Sequence, residues 1–77
     1  MGRRVFEGFE AVSAVVPSDD GYQAAIAVKA LVDGGAPQFH RILEGKRFAR
    51  AFEADEAAGV ELAGLAGVTP EGELVWR

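Results

Sequence analysis

Cysteine and asparagine are missing from the chain; histidine, tryptophan and tyrosine occur once each, and lysine and isoleucine twice each, in 77 residues. The missing cysteine excludes disulfide staples, thiolate metal clusters and thiol nucleophiles. With a single histidine there is no His-x-x-x-His spacing, so no metal site is expected. No stretch approaches 18 consecutive apolar residues, so no membrane-spanning helix is expected. Arg3 and Arg4 are followed by Glu7 and Glu10 rather than by the apolar core of a signal peptide, and Phe6 stands where a myristoylation motif places Ser or Thr. The expectation is a cytoplasmic protein with no membrane partner. Positive charge is also scarce. Eight basic side chains face 12 acidic ones, a net charge of −4, which disfavours a general nucleic-acid binder because phosphate neutralisation needs a basic surface.

Small residues are abundant. Fourteen alanines carry much of the 49% hydrophobic fraction, and ten glycines punctuate it. The large anchors are few: Phe6, Phe9, Tyr22, Ile26, Leu31, Phe39, Ile42, Phe48, Phe52, Leu62, Leu65 and Trp76. A chain of this length buries only about 60% of its unfolded surface. It therefore forms one small domain over residues 1–77, with a stability of about 3–6 kcal/mol. Homodimerisation would bury more surface and offset that deficit.

Periodicity places the elements. Arg4 to Val16 reads as a first strand, with Gly8 between Phe6 and Phe9 as a bulge that turns both rings to one face. Pro17-Ser18-Asp19-Asp20-Gly21 is a turn, in which proline ends the ladder and glycine accepts positive φ. Tyr22 to Val32 alternates cleanly, with Tyr22, Ala24, Ile26, Val28, Ala30 and Val32 on the expected core side. Asp33-Gly34-Gly35-Ala36-Pro37 forms the next turn, and Gln38 to Glu44 an edge strand. Beyond Gly45, Glu53, Asp55 and Glu56 complement the positive end of a helix whose stripe is Ala54, Ala58, Leu62 and Leu65. Its end falls between Gly64 and Gly67. Thr69-Pro70-Glu71-Gly72 is a final turn before a possible fourth strand at Glu73–Trp76. The predicted fold is α+β: a three-stranded antiparallel meander with one helix packed on one face.

Phe6-Glu7-Gly8-Phe9, Asp20-Gly21-Tyr22 and the Phe48–Ala58 segment resemble small bacterial domains with a three-stranded sheet and one helix. That likeness implies the fold. Pro17, Asp19, Asp20, Gly21 and Tyr22 are also similar to the opening of HicB-type antitoxins, in which a strand ending in proline and then acids with Gly-Tyr begin a small sheet. This second resemblance implies binding of a small toxin.

No catalytic constellation can be assembled. His40 lacks a nucleophile partner in recognisable context among Ser13, Ser18, Tyr22 and Thr69. Glu53, Asp55, Glu56 and Glu61 read as helix-start charges on a solvated face, and Asp19-Asp20-Gly21 as a turn without the remaining calcium ligands. Gly34-Gly35 and Gly45-Lys46-Arg47 lack the phosphate-loop pattern. No enzyme activity and no cofactor are expected. Two surfaces remain. Ala25, Ala27 and Leu31 mark a sheet face with few charges, suited to a protein partner or a second copy. Arg41, Lys46, Arg47 and Arg50 form a local basic cluster around Phe48, the candidate for nucleic-acid contact. The leading expectation is a small non-enzymatic binding or assembly module, a homodimer. Nucleic-acid binding and an antitoxin-like role are the alternatives.

Overall fold

The computed structural model describes residues 2–32 and 35–77. Its elements in chain order are β1 (Arg3–Phe6), β2 (Phe9–Ser18), β3 (Gly21–Ala30), β4 (Gln38–Arg41), α1 (Ala51–Ala63), β5 (Leu65–Val68) and β6 (Leu74–Trp76). Strands β1 to β4 form one antiparallel sheet in sequence order, and β5 pairs with β6 in a separate two-stranded ribbon. The α+β class and the single helix are as the sequence implies. The sheet has four strands rather than three.

The extra strand comes from Gly8. With φ of 82° it sits in the left-handed region, and Glu7-Gly8 makes a two-residue hairpin loop rather than a bulge. Phe6 and Phe9 pair directly across it, so both rings reach the same face, as expected, for a different reason. The second hairpin loop is Asp19-Asp20, shorter than the expected five-residue turn. Pro17 remains in the ladder opposite Tyr22, because β1 stops at the level of Val12 and no neighbour needs the missing N–H. Gly21 has φ of 136°, and a Cβ there would lie 2.6 Å from the carbonyl oxygen of Phe48. That close approach is the seam where Tyr22 and Phe48 exchange two backbone hydrogen bonds of 2.8 Å, tying the segment before α1 back to the sheet.

Strand β3 ends at Ala30, with Leu31 and Val32 in a turn; part of the expected turn that follows, Asp33 and Gly34, lies outside the described residues. Strand β4 ends at Arg41 instead of Glu44, because Leu43 adopts φ of 51° and starts a turn closed by Lys46 N–H donating to the Leu43 carbonyl. A leucine in this conformation carries roughly 1–2 kcal/mol of strain. Its half-buried side chain packs against the core.

The residue that precedes the helix, Arg50, has no side-chain oxygen for capping; the Glu53 carboxylate instead accepts the Arg50 N–H at 3.1 Å. Gly64 closes it. No basic residue occupies its last turn, but Arg4 reaches across from β1 and donates to the carbonyls of Leu62 (3.2 Å) and Leu65 (2.5 Å). That guanidinium supplies the positive charge a helix C-terminus favours.

Helix α1 and the β5–β6 ribbon lie on one face of the sheet. The core between the layers is Ala11, Ala24, Ile26, Val28, Ile42, Ala58, Leu62 and Leu65, flanked by Phe6, Phe9, Phe48, Val68 and Leu74. Alanines on both layers let helix and sheet approach closely, which is how so few large side chains fill the space. Leu65 belongs to β5, not to the helix, yet it meets the helix stripe as its spacing suggested. The expected C-terminal strand exists, paired with β5 and not with the main sheet. His40 Nε2 donates to the Gly72 carbonyl at 2.8 Å and so links β4 to the ribbon's turn.

Candidate functional site

Register assigns the other face of the sheet. Direct cross-strand partners point the same way, so Val5 and Glu10, then Val12, Ala27 and Phe39, then Ala14, Ala25 and Arg41, then Val16 and Gln23 share one surface. Neither α1 nor the ribbon packs there: Ala58, Leu62 and Leu65 join the core on the opposite side, and Asp55 bonds to Ser13 on that same side. This face is largely apolar along β2 and β3 and carries charge towards its margins. Arg3 pairs with Glu10 at one side, Lys29 stands opposite Glu10, and Arg41 lies on β4.

The residues singled out from the sequence sit here in a particular way. Ala25 and Ala27 do lie on this face, but they are 0% and 6% exposed although no element covers them. The chain's own neighbouring side chains close over both methyl groups, and the alanines themselves present almost no accessible surface. The accessible apolar surface therefore belongs to Phe39, at 57%, and Val5, at 54%, with Val12, Ala14 and Val16 half-buried between them. Leu31 is half exposed beyond the end of β3, in the turn where its N–H bonds to the Gly8 carbonyl. Val5, Val12 and Val16 were not identified from the sequence, and Phe39, expected there as a core anchor, lies exposed because its register places it on the uncovered face. Reading Gly8 as a hairpin turn would have found Val5, since that turn sets its register against Glu10.

A shallow open depression of about 730 Å³ lies at the Arg41 end of the sheet, with Val16, Phe39, His40, Arg41 and Glu44 among its walls. Arg41 and Glu44 are both exposed and have no ion-pair partner within the described chain.

The basic cluster does not form one surface. Arg41 projects from the open face, whereas Arg50 stands at the start of the helix on the opposite layer. The Arg47 guanidinium is 3.1 Å from Asp20, and Lys46 lies over the Phe48 ring at 5.5 Å. The Ser18 hydroxyl donating to Asp20 holds that carboxyl below its ordinary value, and Arg47 adds to the effect. A helix start carrying Glu53 and a basic residue already paired to a carboxylate together offer little to a phosphate backbone.

Among the other titratable groups, Asp55 accepts from the Ser13 hydroxyl at 2.8 Å, which holds its carboxyl below the usual carboxylate range. Ser13 Oγ in turn accepts from the Gly2 N–H at 2.8 Å, so this contact stitches β2 to α1 and to the start of the chain. Among the described residues no group of three or more histidine, aspartate or glutamate side chains is placed to hold a metal ion, and no helix is long and apolar enough to cross a membrane. No family model, curated protein or solved structure matches the chain.

Proposed function

We propose that the protein is a non-enzymatic assembly module that self-associates through the open face of its four-stranded sheet. The observation that supports this reading is the largely apolar sheet face without a covering layer. Domains of this class bury both faces of a sheet or leave one polar, and a face with valines, alanines and a phenylalanine at its centre and Arg3, Glu10, Gln23, Lys29 and Arg41 around them satisfies neither condition. Two ten-residue strands flanked by two four-residue strands present a face of roughly 450 Å² at about 4.8 Å strand spacing. With side-chain relief, two copies face to face would bury about 1,000 Å², the lower bound for a specific interface. The association is accordingly expected to be reversible and concentration-dependent.

Sedimentation equilibrium across a wide concentration range tests the reading. A mass rising from 8.1 kDa towards twice that value supports it. A chain that stays monomeric up to about 1 mM, where even a binding energy of about 4 kcal/mol would show, overturns it.

A further inference from the structure

The sheet ends at β4 with backbone groups left over. The Ile42 N–H donates to the Ala24 carbonyl at 3.1 Å, which makes those two residues a hydrogen-bonded pair. Bonding alternates along an antiparallel ladder, so Ile26 with His40 and Val28 with Gln38 are bonded pairs as well, while Ala25 with Arg41 and Ala27 with Phe39 are not. The N–H and carbonyl groups of Phe39 and Arg41 therefore point away from β3, off the edge of the sheet. Among the described residues no backbone group bonds to them. Gln38, Phe39 and Arg41 are exposed, and the depression at Phe39 and Arg41 is open to solvent. Such an edge is a template for another strand.

The residues of β4 suit a second β4. A two-fold contact pairs residue i of one copy with residue j of the other and the reverse. The antiparallel registers that bring the outward groups together are centred on Phe39, on His40 or on Arg41. Centring on Phe39 or Arg41 pairs that residue with itself, which leaves only one bonded pair within the strand. The first also calls on Pro37, which has no N–H, and the second sets Arg41 against Arg41. Centring on His40 pairs Phe39 with Arg41 on both sides of the axis, so every outward group of β4 is satisfied. It also lays a cation beside an aromatic ring, a contact this chain already makes between Arg4 and Phe6 at 4.7 Å and between Lys46 and Phe48 at 5.5 Å. His40 itself is held back from the axis by its bond to the Gly72 carbonyl. The equivalent register on the other edge strand, β1, would set Arg4 against Arg4. From this geometry we infer that β4 pairs with β4 of a second copy, Phe39 of each opposite Arg41 of the other, joining two sheets into one. This edge contact goes beyond the face contact proposed above and can fail separately from it.

Amide hydrogen exchange followed by NMR, together with sedimentation equilibrium, tests the pairing. At about 1 mM the Phe39 and Arg41 amides are expected to slow in proportion to the fraction associated, and at dilutions where the mass is 8.1 kDa to exchange at open rates. Arg41→Pro removes an N–H that the ladder to β3 does not use, so the variant is expected to stay folded by circular dichroism. Its dissociation constant should rise about tenfold or more through the lost hydrogen bonds. Val5→Lys places a charge on the exposed part of the open face, on β1, and is expected to leave both amides protected. A parent that associates while both amides exchange at open rates overturns the edge pairing and leaves the face contact standing. A folded Arg41→Pro that associates as tightly as the parent does the same, as does loss of protection in folded Val5→Lys. Should Arg41→Pro not fold, exchange in the parent decides alone. A parent that never associates overturns both contacts.

Discussion

The two faces of the sheet are built from similar residue types and end in different states. On the helix side Ala11, Ala24, Ile26 and Val28 are sealed beneath α1 and the β5–β6 ribbon. On the other side Val12, Ala14, Val16, Ala25 and Ala27 meet no second layer, and only their neighbours in the same rows shield them. Burial can thus arise from a covering element or from taller neighbours on the same surface. The two mechanisms differ in consequence. A covered alanine lies between two layers of the fold, whereas an alanine closed over by its own sheet neighbours leaves those neighbours as the surface that another molecule would meet.

Substitutions can break this comparison in order of effect. Leu62 is among the largest fully buried side chains, and Leu62→Ala is expected to cost about 2–5 kcal/mol, close to the whole stability of so small a domain. Urea titration followed by circular dichroism should find the variant largely unfolded; a loss below about 1 kcal/mol would mean the helix layer is not the principal core. Gly21→Ala comes next, at about 2 kcal/mol or more, because positive φ and the Phe48 carbonyl both oppose a methyl group. Thermal unfolding reads that loss, and an unchanged midpoint would show that the seam between β3 and Phe48 can open freely.

Ser13→Ala is expected to cost about 1 kcal/mol near neutral pH. It also carries a pH signature. Asp55 has a lowered folded-state pKa, so its contribution is complete above the ordinary value of 3.8 and is lost as pH falls below it. The parent should lose stability over that acid window and the variant less steeply; parallel acid curves would assign the acid sensitivity elsewhere. The smallest effect sharpens the contrast most. Phe39→Ser is expected to change monomer stability by no more than about 0.5 kcal/mol, measured at dilutions where no dimer forms. A loss approaching that of Leu62→Ala would place Phe39 in the core and remove the distinction between the faces.

Much of the architecture can be read from the residues. Alternation identifies β3 and its core side, the Ala54–Leu65 stripe places the helix although its end, expected between Gly64 and Gly67, falls at Ala63, and Thr69 to Gly72 marks the last turn. What could not be read has physical causes. A bulge and a two-residue hairpin at Gly8 place Phe6 and Phe9 on the same face, so hydrophobic pattern alone does not separate three strands from four. Strand β4 is short because a leucine takes up a left-handed conformation, which nothing in its side chain announces. For the candidate surface, parity gave the correct face for Ala25 and Ala27 but no information on depth. Depth depends on the heights of Val12, Phe39 and Arg41 in neighbouring strands, hence on register between segments distant in sequence. The four cations near residue 46 are adjacent in sequence and divided in space by the turn between β4 and α1.

Arg4 has a consequence for the order of events in folding. The hairpin loops join strands that are neighbours in sequence, so most of the sheet can form by local search. The guanidinium of Arg4, by contrast, reaches carbonyls 58 and 61 positions away. It can close only once β1 and the helix C-terminus are both in place, so it is expected to form late, with a φ-value near zero for Arg4→Ala as the check. Such a contact leaves the folding rate nearly untouched and acts on the rate of escape. Removing this one side chain is therefore expected to shorten the lifetime of the native state more than it slows its formation.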